Sequence, residues 1–124
     1  MMAKYGNKQV FYDGKLFDSK KELARYKELS FLERAGEITD LRMQVPFELL
    51  PPVYETYERY GKNGKRLKDG KRLIERGVTY KADFWYRDRQ GRPVVEDTKG
   101  VRTKEYILKR KMMLNKYGIR IREL

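Results

Sequence analysis

The chain predicts a mixed α/β domain, with a central sheet flanked by helices, on three observations. Two segments, 19–35 and 103–117, carry the end signals of helices. Three stretches between and around them, 41–50, 78–86 and 93–99, alternate or run apolar as strands do. The order is hairpin, helix, strands, helix, strand, so the stretch from Val94 through the second helix to Ile121 suits a right-handed βαβ crossover. With 124 residues, 40% of them apolar, the chain suffices for a single domain, 1–124, with one modest core.

Residues 1–9 are basic and polar and are expected to be loose. Next, Val10-Phe11-Tyr12 and Lys15-Leu16-Phe17 flank Asp13-Gly14, the turn pair of a small hairpin. Ser19-Lys20-Lys21-Glu22 then fits a capping box, with Ser19 at the N-cap and Glu22 reaching back to its backbone N–H. That helix runs to about Ala35 and stops at Gly36. Glu22, Tyr26 and Leu29 share one row of it, which places Glu22 at the edge of the buried face. Leu41, Met43, Val45, Phe47 and Leu49 alternate strictly with Arg42, Gln44, Pro46, Glu48 and Leu50, the clearest strand in the chain. Pro46 argues for an edge strand or a bulge, and Pro51-Pro52 ends it.

Tyr54, Tyr57 and Tyr60 suit an extension of the sheet, packing on it rather than stacking on bases. Residues 61–72 hold six basic residues, one acid and three glycines, the composition of a mobile basic loop or hairpin tip. It is either a solvated turn or a phosphate contact. The stretch 78–86 is the second strong strand, 88–93 a turn, and 93–99 a strand whose apolar start suits a central, buried place. Gly100 breaks it. A second helix, strongly basic through Lys104, Lys109, Arg110 and Lys111, runs to about Tyr117 and stops at Gly118. Residues 119–122 alternate as a last short strand.

Charge and composition exclude several function classes. A formal net charge of +12 points to a polyanionic partner. The chain has no cysteine and no histidine, which rules out disulfides, zinc-thiolate sites, a thiol nucleophile and an imidazole base. Metal ligation is left to carboxylates, which suit Mg2+ or Mn2+. No apolar run approaches the roughly 20 residues of a membrane span. The first residues lack the apolar segment of a signal peptide, so a cytoplasmic location and no membrane partner are expected.

The chemistry gathers on two of the strands. Asp83 sits in mid-strand, and Asp97 and Lys99 lie two residues apart on the next strand, so they point the same way. Metal-assisted cleavage of a phosphodiester needs carboxylates to hold the ion and a cation to orient water or offset charge on the phosphate. Asp83, Asp97 and Lys99 can supply these if their strands are neighbours. A plain surface ion pair on a hairpin is the simpler alternative. For Glu22 the helix cap is a complete structural explanation, and for Gln44 an outward-facing strand position is.

Five blocks of the sequence carry a family resemblance. They are Phe17-Asp18-Ser19-Lys20-Lys21-Glu22, Gly36-Glu37-Ile38, Gln44-Val45-Pro46-Phe47, Tyr80-Lys81-Ala82-Asp83-Phe84 and Val95-Glu96-Asp97-Thr98-Lys99-Gly100. Together they resemble the PD-(D/E)XK nuclease superfamily, and within it small phage-encoded proteins related to Holliday-junction resolvases and transposon-end endonucleases. The resemblance covers about residues 10–120, with 53–77 least matched. The family's proline before the first acid is Ala82 here.

The resemblance implies a restriction-endonuclease-like core with a basic hairpin or loop extension. It implies that Asp83 and Asp97 bind Mg2+ or Mn2+, with the Thr98 carbonyl completing the set. Lys99 positions the attacking water, Glu22 holds a second ion or a water, and Gln44 lines the site. Glu96 is the other candidate for the second acid; strand alternation and the spacing to Lys99 favour Asp97. The implied activity is that of a metal-dependent endodeoxyribonuclease of phage origin, acting on branched or duplex DNA, with Holliday-junction resolution by a homodimer the specific expectation. DNA contact is expected from Lys62, Lys65, Arg66, Lys68, Lys71 and Arg72 and from the 104–111 helix face, through phosphates rather than bases. The rival function is a non-catalytic DNA-binding accessory protein of recombination on the same fold. An RNA-binding sheet lacks its aromatic pattern here.

Overall fold

A computed structural model describes residues 8–98 and 101–124. The expectation of a loose N-terminus falls mostly on residues 1–7, outside the described residues, and Lys99 and Gly100 also lie outside them. Strands β1 (Val10–Tyr12) and β2 (Lys15–Phe17) pair antiparallel around Asp13-Gly14. Both turn residues have positive φ, 52° and 72°, as a two-residue hairpin turn requires. Helix α1 (Lys20–Arg34) follows, capped by Ser19, whose Oγ accepts the Glu22 N–H at 3.1 Å. Its last turn carries Arg34, which complements the helix dipole.

Four strands come next in a row: β3 (Thr39–Leu50), β4 (Val53–Tyr60), β5 (Arg66–Glu75) and β6 (Val78–Arg87). Then β7 (Pro93–Asp97), α2 (Lys104–Tyr117) and β8 (Arg122–Glu123) complete the chain. The main sheet has the order β3-β6-β7-β8, antiparallel except for the parallel β7–β8 pair, so it is a mixed sheet with α2 as the crossover. β3, with Pro46, is one of its two edge strands, and β7 is internal.

The last strand starts later than the alternation at 119–122 implies. Ile121 is buried in the core and Ile119 packs against it, but pairing begins only at Arg122, opposite Glu96. The alternation there records burial, not a ladder.

Two apolar clusters fill the fold. One joins Leu49, Tyr80, Ala82 and Val95 to Met113 of α2 and to Ile121. The other joins Phe84 and Tyr86 to Leu29 of α1 and Ile38, with Leu41 and Met43 at its margin. Each long strand therefore changes cluster partway along, β3 between Met43 and Phe47 and β6 between Ala82 and Phe84. Met43 pairs with Phe84 and Val45 with Ala82, which leaves Gln44 and Asp83 at the changeover. Gln44 has φ 52°, a left-handed conformation rare for a non-glycine residue inside a strand. Strict alternation fails at that point, and a polar pair occupies it.

The tyrosine-bearing stretch and the basic stretch do not behave as expected. β4 and β5 form a separate two-stranded ribbon and do not extend the main sheet. The basic segment is a loop only at its tip, where the Gly61 N–H bonds the Lys65 carbonyl at 2.8 Å; from Arg66 on it is strand. A strand exposed on both faces needs no apolar alternation, so its composition reads as a loop. The ribbon continues the β3–β6 hairpin in register, Leu50 opposite Val78 and Val53 opposite Glu75, across Pro51-Pro52. Facing the prolines is Gly77, where a Cβ would stand 2.8 Å from the Leu50 carbonyl oxygen. No larger residue fits this junction unless the backbone shifts.

Candidate functional site

Strand geometry separates the two neighbouring acids of β7. Glu96 turns toward α1 and is fully buried. The Arg25 Nε and Nη2 donate to its two oxygens at 2.7 Å each, and the Tyr86 hydroxyl donates as well. The Arg25 guanidinium is held well above its ordinary pKa, chiefly by that pairing. Such a bidentate pair satisfies both oxygens of Glu96 and leaves it a structural ion pair. Asp97, 2% exposed, is set among the residues of the α2 cluster, where the Tyr80 hydroxyl donates to it at 2.7 Å. Burial first, then the charge of Asp97, drives the Tyr80 hydroxyl far above the usual tyrosine range, so it stays protonated and keeps donating.

Asp83 lies one strand over and is 2% exposed. One of its oxygens accepts both the backbone N–H and the hydroxyl of Thr98, at 2.8 and 2.9 Å. Thr98 thereby ties the end of β7 to the middle of β6 and holds Asp83 against the residue that follows Asp97. A cleft of ≈ 270 Å³, lined by Lys21, Ala24, Arg25, Glu28, Thr98 and Leu124, opens beside this point.

Glu22 joins from α1. Its carboxyl does not reach the Ser19 N–H, as a full capping box requires. One oxygen accepts the Asp18 N–H at 3.1 Å, one residue earlier, and the other accepts the Gln44 side-chain amide at 2.8 Å. The cap of α1 is therefore Ser19 alone, and Glu22 is free to turn inward, 1% exposed. Its pKa is pushed up to about 7, mostly by burial and next by the nearby charge of Asp83. Gln44 points inward to Glu22 rather than outward from an edge strand, because its left-handed backbone re-aims the side chain.

Three buried carboxylates from three elements, Glu22, Asp83 and Asp97, thus each take their own partner, Gln44, Thr98 and Tyr80, and the charge of Asp83 is felt at Glu22. Among the described residues, no group of three or more Asp, Glu, His or Cys is placed so as to hold a metal ion. The donor set is nonetheless oxygen only, as hard divalent cations require. Sequence reasoning missed Tyr80 and Tyr106. The Tyr106 ring lies 6.3 Å from that of Tyr80, and its enclosed hydroxyl has no hydrogen-bond partner among the described residues. Both are tyrosines within apolar patterns, which carry no signal beyond burial.

The basic residues expected to meet DNA divide into two groups. On α2, Lys109 pairs with Glu105 at 3.1 Å and Arg110 with Glu123 at 3.3 Å, while Lys104 and Lys111 are exposed. On the ribbon, Arg66 pairs with Asp69 and Arg72 with Glu55, the latter at 3.0 Å. Lys62, Lys65, Lys68 and Lys71 are exposed and take no ion pair among the described residues.

No helix among the described residues is long and apolar enough to cross a membrane. No curated protein and no solved structure matches the chain. A family model does, that described as protein of unknown function (DUF1064), over residues 2–122. With nearly its whole length matched, the chain belongs to the DUF1064 family.

Proposed function

We propose that this protein is a metal-dependent endodeoxyribonuclease with a restriction-endonuclease-like PD-(D/E)XK core. One observation supports the reading most: Glu22, Asp83 and Asp97, on α1, β6 and β7, are each no more than 2% exposed on a chain of net charge +12. Asp83 and Asp97 would hold Mg2+ or Mn2+, with the Thr98 carbonyl and Glu22 completing the set. A bound ion there supplies Lewis-acid polarisation of a phosphate oxygen. Tyr80 keeps Asp97 oriented, and Gln44 does the same for Glu22. Lys99 takes the role of positioning water, in keeping with its place two residues after Asp97. Branched DNA, cut as a Holliday junction by a homodimer in a phage-infected cell's cytoplasm, is the preferred substrate of this reading.

A second reading keeps DNA binding without cleavage, as a recombination accessory protein. It is favoured by the absence of a three-acid metal group among the described residues.

The two readings part in one experiment. Four-way junction, nicked and linear DNA are incubated with the protein in Mg2+, Mn2+ or EDTA. The nuclease reading expects metal-dependent cutting that Asp97→Ala and Asp97→Asn abolish while DNA binding persists. Mg2+ or Mn2+ should also raise the thermal midpoint of the wild type and not of Asp97→Asn. Failure to cut any substrate with either metal overturns it in favour of the second reading. Wild-type cutting by both Asp97 variants would show that the wrong acid was assigned.

A further inference from the structure

The β4–β5 ribbon has no core of its own. Among the described residues its strands pair only with each other, none of its residues belongs to either apolar cluster, and every residue but Gly70 is exposed. A lone two-stranded ribbon is marginal in water. This one is held by continuity with β3 and β6 and by cross-strand contacts. Tyr57 lies over Gly70, where a Cβ would come within 2.3 Å of its ring. Each tyrosine is capped by a cation: Arg66 over Tyr60 at 5.9 Å, Lys71 over Tyr54 at 6.0 Å and Arg72 over Tyr57 at 4.8 Å.

The distribution of these groups says what the ribbon fits. Register and alternation put Tyr54, Thr56, Glu58 and Tyr60 on one face with Leu73, Lys71 and Arg66. The other face holds Glu55, Tyr57 and Arg59 with Arg72, Gly70 and Leu67. Cations and aromatic rings thus occur on both faces, and Lys62 and Lys65 add charge at the tip. A surface that docks on another protein, or on a second copy of this net-positive chain, would concentrate apolar groups on one face. A ribbon lying in a groove of DNA meets base edges with one face and phosphates along its margins and tip, so its cations need not gather on one face. Between residues 53 and 75 there are seven basic residues and four acids, and three of those acids are bonded within the ribbon by Arg72, Tyr60 and Arg66.

We propose that the β4–β5 ribbon enters the major groove of duplex DNA, with its lysines on the flanking phosphates and Tyr54 and Tyr60 against the groove floor. The groove, about 12 Å wide, admits a two-stranded ribbon. β4, with eight residues at about 3.4 Å each, reaches about 27 Å along it. Because β5 runs through Gly77 into β6, the seated ribbon sets where the duplex lies relative to Asp83. The proposal rests on DNA being the partner, but not on its being cut.

The test uses the full chain in EDTA, so that binding is read without cleavage. Anisotropy of a fluorescein-labelled linear duplex is measured across a salt series, and dimethyl sulfate reports access to guanine N7 in the major groove. Lys62→Glu/Lys65→Glu/Lys68→Glu/Lys71→Glu is expected to weaken binding about a hundredfold and to flatten the salt dependence. Tyr54→Ser/Tyr60→Ser, which leaves Tyr57 on Gly70, is expected to weaken binding about tenfold with the salt slope unchanged. Both should lose the N7 protection that the wild type gives. Wild-type affinity in both variants, or binding by the wild type without N7 protection, overturns the proposal. So does a dimer in sedimentation that dissociates in the tyrosine variant, which would make the ribbon an assembly surface. Metal-dependent cutting by a protein whose ribbon variants bind normally would sink the ribbon proposal and spare the nuclease; ribbon-dependent binding without cutting would do the reverse.

Discussion

β3 and β6 on one side of the Pro51-Pro52 junction, and β4 and β5 on the other, are two halves of one long antiparallel hairpin whose register shifts at points within each half. Their environments are opposite. The inner half is covered by α1 and α2 and packs its polar groups into satisfied pairs such as Gln44 with Glu22. The outer half is bare on both faces and leaves its cations in water. The same backbone pairing therefore serves two purposes, and the coverage decides which. Buried, a charged group must be matched atom by atom. Exposed, it can stand alone, available to a partner.

A buried salt bridge stands beside the inner half, between Arg25 of α1 and Glu96 of β7, and an exposed one within the outer half, and removing the arginine of each measures the difference. Arg25→Ala leaves buried Glu96 with only the Tyr86 hydroxyl and the longer ion pair to Arg122 at 3.9 Å, for an expected loss of about 3–5 kcal/mol in thermal unfolding. Replacing both partners by methionine should recover most of it. A loss below about 1 kcal/mol would mean that Glu96 is solvated in solution, and the contrast between halves would collapse.

Glu22 gives the next largest effect, through pH. Its folded pKa, about 7, lies above its ordinary value of 4.5, so its contribution is fully present below about pH 4.5 and is lost as pH rises through about 7. In metal-free buffer the urea midpoint should fall between pH 5 and pH 8, by an amount on the order of 2–3 kcal/mol in stability. Glu22→Gln should flatten that profile. An unchanged slope in the variant would show that some other group supplies it.

The smallest effect is expected from Arg72→Ala in the outer half. Its bond to Glu55 is exposed, with side chains 63% and 47% accessible, so the cost should stay below about 1 kcal/mol. A larger loss, seen in the same thermal scans, would mean that the cap of Arg72 over Tyr57 holds the ribbon together and that the outer half has structure of its own to lose.

Local chemistry in the sequence was enough for the elements: Asp13-Gly14 for the hairpin turn, Ser19 and Thr103 for the helix starts, Gly118 for a helix end, alternation for β3 and the run into β7. These are short-range effects, set by backbone conformation and by which side chains reach neighbouring N–H groups. Alternation also separated Glu96 from Asp97, because successive strand residues face opposite ways. Tertiary structure decided what depends on partners far along the chain. It turned Glu22 from the capping-box bond to Gln44, drew Tyr80 to Asp97, and made 66–75 a strand by pairing it with β4. None of these has a local signature, since the sequence of one strand does not say what will lie across from it. The hairpin's outer half shows the limit most clearly: with no buried face, it leaves no hydrophobic pattern to read, and its pairing, continued from β3 and β6 and held by cross-strand contacts, makes it a ribbon.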